Sequence, residues 1–200
     1  MAPAPRQLLL RCLAAGLLGC GALAGCDERP PVVAAPPASA SQALDEAPEV
    51  LVAEPTPPAR LETWALRHLS VEAREAARLA PVPLLVPPQP RLLAGMVVSA
   101  GEHFVAFHTA ADGLTWTLHG TRLAYRYPEL SPVEGPDSIR GTRGFLGQEE
   151  GTWSATWLEG GVAYSLDLEC AVASDPRCAD ASTVAALAES LVAVSRGAGR

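Results

Sequence analysis

Two histidines have a spacing that could bring both side chains to one surface. His108 and His119 flank Asp112-Gly113, a dipeptide typical of a two-residue β-hairpin turn. With that turn, both imidazoles lie on one face of the hairpin, diagonally across it, where they could share a metal ion. Zinc sites ordinarily need three or four protein ligands, and no third ligand is placed beside these two. We therefore expect no metal or cofactor, and a solvated face whose candidate binding residues are His108, Thr117 and His119.

Cys26 ends a short apolar segment near the N-terminus. The segment from Leu23 to Cys26 resembles the lipobox of bacterial lipoproteins, in which the cysteine is lipidated and becomes the first residue of the mature chain. Two arginines precede the apolar run, which is shorter than the ~20 residues that a membrane-spanning helix needs. The resemblance implies a signal peptide over residues 1–25 and a lipid anchor on Cys26 in the inner or outer membrane, facing the periplasm. An ordinary cleaved signal peptide and a poor transmembrane helix are the alternatives.

Cys170 and Cys178 are the two cysteines that remain once the leader and the lipidated residue are set aside. An oxidising envelope compartment makes them a natural pair. A disulfide that closes so short a loop would stabilise the fold by ~2.5 kcal/mol on the chain-entropy model. A redox-active pair is the alternative, but the C-x7-C spacing lacks the C-x-x-C arrangement that lowers a thiol pKa. The spacing therefore favours a structural disulfide.

The composition is that of an acidic chain of 200 residues with a formal net charge of −7. Such a charge argues against nucleic acid as a partner and against a polybasic membrane patch. Attachment to a membrane would therefore depend on the lipid. The length that remains after the leader and a linker suits one domain with one ordinary core.

Residues 26–59 differ from the rest of the chain in composition. Proline, alanine, valine and glutamate dominate, with Pro-Pro pairs at 30–31, 36–37 and 57–58. Prolines remove amide donors and fix φ, which disfavours both helices and paired strands. The segment lacks aromatic residues and an apolar period, so we expect a disordered, partly polyproline-II tether. The globular domain is expected to span residues 60–196.

The apolar pattern of this domain predicts an α+β fold on a single antiparallel sheet of about six or seven strands. A hairpin around the Asp112-Gly113 turn continues into residues 121–127, which makes a three-stranded meander. A glycine-interrupted strand is expected at 139–148, and a second hairpin at 152–158 and 162–169. About two helices, at 71–79 and 181–194, would pack on the apolar face.

Trp153 and Trp157 share one face of the second hairpin. Exposed, they would form a stacking platform for a sugar or a peptide; buried, they would belong to the core. The burial habits of aromatic residues favour the core. The chain carries no Gly-x-Ser-x-Gly elbow, phosphate loop, His-Glu-x-x-His motif or dinucleotide fingerprint. The sequence therefore favours a protein that is not an enzyme.

Four segments follow one another in a recognisable order, namely residues 70–77, 82–88, 156–164 and 188–191. This order resembles a domain-of-unknown-function family found in bacterial lipoproteins and at the extracytoplasmic ends of anti-sigma regulators. The resemblance implies a sensory or binding module without catalytic residues. We expect a lipid-anchored envelope protein with a binding or structural role, whose partner is an envelope protein or a glycan. An extracytoplasmic regulatory module acting through protein contacts and a small envelope hydrolase are the alternatives.

Overall fold

The computed structural model describes residues 48–197. Short 3₁₀ turns at Ala65–His68 and Pro176–Cys178 accompany the regular elements. In chain order these elements are β1 Glu49–Val52, α1 Val71–Leu79, β2 Leu85–Val86, α2 Pro90–Leu93, β3 Val97–Ala100, β4 Phe104–Ala111, β5 Leu114–Thr121, β6 Leu123–Arg126, β7 Asp137–Ile139, β8 Thr142–Glu149, β9 Thr152–Glu159, β10 Val162–Cys170, α3 Ser182–Ser190 and β11 Val192–Ala193.

A seven-stranded antiparallel sheet with the order β3-β4-β5-β10-β9-β8-β7 forms the centre of the domain. The pairing of β5 with β10 joins the first hairpin to the C-terminal strands. Helices pack on one face of this sheet, which confirms the predicted α+β class. The described residues hold three α-helices rather than about two, because residues 90–93 add the single turn α2.

The first hairpin has the predicted register. Asp112 and Gly113 both have positive φ, as the two central residues of a type I′ turn require, and Ala111 pairs with Leu114. The apolar side chains that alternate along both strands are buried in the core: Val105, Phe107, Leu114, Trp116 and Leu118. Each such side chain contributes ~1.5–3 kcal/mol relative to exposure, so this face determines the register.

The strand predicted after this hairpin leaves the main sheet. Residues 121–127 were expected to form the third strand of a meander, but β10 occupies the second edge of β5. The chain therefore bends at Arg122, and β6 pairs with β1 in a separate two-stranded ribbon. The third strand of the meander is instead β3, which precedes β4.

The strand β1 also corrects the predicted extent of the tether. Residues 26–59 were expected to be unpaired, yet Glu49–Val52 pairs with β6, and the amide of Thr56 donates to the carbonyl of Gly160 at 2.8 Å. These four residues lie between Pro48 and Pro55 and contain no proline, so their backbone groups are free to pair. The leader and residues 26–47 lie outside the described residues.

The segment expected as one irregular strand at 139–148 is a hairpin, β7–β8. Its turn is Arg140-Gly141, and both residues have positive φ. Arginine rarely adopts this conformation, so the local sequence gave no turn signal. The side chain of Arg140 compensates by donating to carbonyl groups at the C-terminal end of α3.

The last helix is shorter than predicted. It was expected to continue to residue 194, but α3 ends at Ser190 and the following residues pair as β11 with β2. The amide of Val194 donates to the carbonyl of Leu84 at 2.9 Å, which continues this pairing. The first helix agrees with its prediction, since the hydroxyl of Ser70 accepts from the amide of Ala73 and caps α1. No helix within residues 48–197 has the length and apolar character needed to cross a membrane.

Candidate functional site: a groove on the open face of the sheet

The two faces of the seven-stranded sheet differ. The inner face packs against the helices, whereas the outer face of β5, β10, β9 and β8 has no helix over it among residues 48–197. Small side chains occupy the middle of this outer face, where Ser165 pairs across from both His119 and Thr156. Larger side chains, Leu158 and Phe145, stand on the neighbouring strands. The contrast in size makes a depression in the sheet surface.

This depression is a groove of about 650 Å³, a volume typical of binding sites. We call it the outer groove. Its floor consists of outward-facing side chains from four adjacent strands: His119 and Thr121 on β5, Ala163 and Ser165 on β10, Thr156 and Leu158 on β9, and Arg143 and Phe145 on β8. Residues 132–135 form one wall.

The wall is held against the sheet by a close backbone contact. Gly135 is buried, and a Cβ atom at this position would overlap the carbonyl of Gly144. The carboxylate of Asp137 then accepts from the amide of Leu146 at 2.8 Å, which fastens the end of the loop to β8. Beyond this anchor Val133 is 79% exposed, so the wall presents an apolar side chain to the groove.

A second depression extends the outer groove toward the β1–β6 ribbon. It has a volume of about 400 Å³, and its lining includes Phe104, Leu123 and Tyr125. His119 and Thr121 line both depressions, so the two are continuous. The imidazole of His119 stacks on the ring of Phe104 with centroids 5.5 Å apart. The combined surface therefore runs across the sheet with aromatic side chains along it.

The histidines lie on one face of the first hairpin, diagonally across it, as the sequence predicted. His108 is exposed and shares a hydrogen bond with the hydroxyl of Thr117, with Nδ1 and Oγ1 3.2 Å apart. His119 is also exposed on the same face, but it alone of the three lines the outer groove. The described residues contain no cluster of three histidine, cysteine or carboxylate side chains that could hold a metal ion.

A polar group that the sequence did not indicate lies beside the groove. The carboxylate of Asp167 accepts from the hydroxyl of Ser154 at 2.6 Å and from that of Ser165 at 3.4 Å. Asp167 also pairs across from Thr117. The outer face therefore carries a row of hydroxyl and carboxylate groups next to the aromatic and apolar row. The pairing of β10 with β5, which brings these groups beside the first hairpin, could not be deduced from a local pattern.

The two tryptophans are not a stacking platform. Trp157 is buried and stacks on Tyr164, with ring centroids 5.4 Å apart. Trp153 is half-buried and donates to the carbonyl of Cys178 at 2.9 Å. Burial raises the pKa of the Tyr164 hydroxyl above its ordinary value, and this hydroxyl donates to the carbonyl of Pro83 at 2.8 Å. The aromatic residues of the second hairpin therefore belong mainly to the core, as the sequence favoured.

The cysteine pair is bridged as the spacing predicted. Cys170 and Cys178 form a disulfide with a Cα–Cα distance of 6.2 Å. Cys178 is buried in the 3₁₀ turn, and the side chain of Asp175 accepts from the amide of Arg177 at the start of that turn. The bridge therefore holds the loop between β10 and α3. Cys26 lies outside the described residues.

Two oppositely charged side chains complete the outer groove. Arg143 and Glu134 both line it, and among residues 48–197 neither takes part in a salt bridge. Half-buried hydroxyls, one cation and one anion thus surround an otherwise apolar surface. Such a lining can accept and donate hydrogen bonds while it buries apolar groups of a partner.

The fold and the groove together define a small α+β domain whose antiparallel sheet, within residues 48–197, is covered on one face and open on the other. No protein-family model matches the chain, and neither a curated protein nor a solved structure is significantly similar to it. The resemblance to an envelope lipoprotein family therefore stays a prediction from the sequence.

Proposed function

We propose that this chain is a lipid-anchored, non-catalytic binding protein of the cell envelope that holds an envelope protein or a glycan in its outer groove. The observation that carries the proposal is the groove itself, which gathers exposed apolar side chains on a sheet face that no described element covers. The lipobox-like segment ending at Cys26 supports the envelope location.

The exposure of apolar groups around the groove supports a contact function. Leu158 is 64% exposed and Phe145 is 47% exposed, and both line the groove together with the apolar wall residue Val133. Contiguous apolar surface of this kind is typical of interaction sites, because burial by a partner removes it from water. Isolated exposed apolar residues elsewhere on the domain need no such explanation.

The polar groups of the groove suggest the chemistry of the partner. Thr121, Thr156 and Ser165 offer hydroxyls that both donate and accept hydrogen bonds. Peptide groups and sugar hydroxyls have the same dual capacity, and both kinds of partner also present apolar faces. The groove therefore suits an extended polypeptide segment or a glycan strand.

A charge placed in the groove tests the proposal against a matched control. Leu158 and Leu79 have similar exposure, 64% and 67%, but Leu79 ends α1 and does not line the groove. We would measure binding of the protein to solubilised envelope proteins and to purified cell-wall glycan by co-sedimentation. Leu158→Glu should weaken retention by about tenfold or more, and Leu79→Glu should retain it. Equal retention of both variants would rule out the outer groove.

A further inference from the structure

The strand β1 has one unpaired edge. It pairs with β6 on one side, and no strand within residues 48–197 pairs with its other side. All four of its residues are exposed, including Val50, Leu51 and Val52. Proteins usually protect such an edge with charged residues, proline or a covering element. After Glu49, three uncharged apolar residues in succession stand along this open edge, which is typical of a pairing surface.

The two edge strands of the seven-stranded sheet are protected. The edge strand β3 packs along α1. The opposite edge strand of the main sheet, β7, has only three residues, and its one apolar residue, Ile139, is buried. The open edge of β1 therefore differs from both ends of the seven-stranded sheet.

The pairing with β6 determines which backbone groups of β1 face outward. The amide of Ala53 donates to the carbonyl of Arg122 at 2.9 Å, in register with the β1–β6 ladder. Backbone groups of successive residues in a strand point to opposite sides, so those of Glu49 and Leu51 also face β6. The amides and carbonyls of Val50 and Val52 consequently point to the open edge.

We propose that β1 pairs antiparallel with β1 of a second copy of this chain, which joins the two ribbons into a four-stranded sheet. In one register Val50 lies opposite Val52 of the second copy. All outward groups of these residues then form hydrogen bonds, four in total, across a two-fold axis. Leu51 lies on this axis and faces Leu51 of the second copy.

The charges around the strand fit this self-pairing. Glu49 lies opposite Ala53 of the second copy, and Glu54 lies opposite Pro48, so no carboxylates face one another. Pro48 and Pro55 limit the pairing to the intervening residues, because proline has no amide donor. The strand can therefore pair with an identical strand without bringing two like charges together. This favours a second copy of the chain as the partner over an unrelated strand.

The proposed dimer also has a consequence for the groove. Val50 and Val52 pair with Tyr125 and Leu123, so these four side chains share one face of the ribbon. Residues opposite one another in a sheet have side chains on the same side, and both copies therefore present Tyr125 on one side of the dimer. Because Tyr125 lines the extension of the outer groove, two binding surfaces would lie on one assembly.

Cysteine cross-linking tests both the contact and its register. In a full chain with serine at positions 12, 20 and 26, Leu51→Cys should form a disulfide-linked dimer on mild oxidation. Directly facing residues that are not hydrogen-bonded lie at a distance suited to a disulfide. Val50→Cys alone should cross-link little, whereas a mixture of Val50→Cys and Val52→Cys should give the linked heterodimer. Leu79→Cys, on α1 and more exposed than Leu51 (67% against 39%), reports random collision.

Failure of Leu51→Cys to cross-link above the Leu79→Cys level would overturn the proposal. Efficient self-linking of Val50→Cys would overturn the stated register.

Sedimentation equilibrium of the purified wild-type chain provides a second test, with a dimer expected. Val52→Pro should shift it toward monomer, because it removes an outward amide and leaves the groups that face β6 in place. A monomeric wild type, or a Val52→Pro variant that is as dimeric as the wild type, would contradict the proposal. The groove variant Leu158→Glu should dimerise as the wild type does, whether or not the groove binds a partner.

Discussion

Arg140 and Glu159 form a bidentate ion pair that ties the β7–β8 turn to the end of β9. Nε of Arg140 lies 2.6 Å from one carboxylate oxygen of Glu159, and Nη2 lies 3.3 Å from the other. Nη1 of the same side chain donates to the carbonyls of Ala188 and Leu191 at 3.0 and 2.8 Å. The guanidinium therefore satisfies carbonyls at the C-terminus of α3, where a cation is also favoured by the helix dipole.

Loss of the Arg140 side chain should destabilise the domain. Asparagine tolerates positive φ, so Arg140→Asn removes the ion pair and the helix cap without adding backbone strain. We expect a loss of about 2–3 kcal/mol in the free energy of unfolding, measured by urea denaturation, because Glu159 and the carbonyls lose a charged donor. A double-mutant cycle with Glu159→Gln should give a coupling energy above about 1 kcal/mol. Additive effects would show that the pair does not act as a unit.

Reduction of the disulfide should also lower stability. The bridge joins residues eight positions apart, for which the chain-entropy model gives about 2.5 kcal/mol. The variant with alanine at both Cys170 and Cys178 should unfold at lower urea concentration than the oxidised wild type. Reductant should shift the wild-type midpoint and leave that of the double variant unchanged. A wild-type midpoint that does not respond to reduction would show that the bridge contributes nothing.

Asp175 should titrate at unusually low pH. Hydrogen bonds from the side chain and the amide of Arg177 lower the pKa of its carboxyl from 3.8 to about 2. A folded-state pKa below the unfolded value means that this contact stabilises the fold above about pH 4 and loses its effect as pH falls toward 2. NMR titration of the Asp175 carboxyl carbon should give that low midpoint, and Arg177→Met should move it upward. The same midpoint in both proteins would show that Arg177 is not the cause.

The first hairpin shows how much of the fold could be predicted from the sequence. Alternation around Asp112-Gly113 was sufficient because each strand buries one face, and a shift by one residue would expose Phe107 and Leu118. The second hairpin and the disulfide followed from equally local signals, a glycine turn and a cysteine spacing. These features could be predicted because their determinants lie within a few residues of one another.

The features that escaped prediction depend on distant partners. Arg140 adopts a turn conformation that arginine disfavours, and the groups that compensate for it lie 48 to 51 residues further along the chain. The outer groove requires the pairing of β10 with β5 and the return of residues 132–135 over β8. Of the three candidate binding residues, only His119 lines the outer groove. The sequence of one hairpin does not show which of its outward-facing side chains will border a groove that other strands complete.

The proposed lipid anchor on Cys26 predicts where the protein is found. Cys26→Ala should release the protein from membranes into the soluble fraction, since the thiol that would carry the lipid is lost. Fractionation of cells that produce the wild type or the variant measures this, and mass spectrometry of the wild type should show acyl chains on Cys26. A variant that stays membrane-bound with its leader uncleaved would favour the transmembrane alternative.

Site-specific photo-cross-linking in cells tests most directly whether the outer groove is the contact surface. A photoreactive phenylalanine analogue would replace Phe145, which lines the groove, or Val172, which is 60% exposed in the disulfide loop outside it. We predict that the analogue at position 145 forms a discrete adduct with an envelope protein or glycan, identified by mass spectrometry, and that the analogue at position 172 does not. An adduct at position 172 with none at position 145 would contradict the proposed binding site.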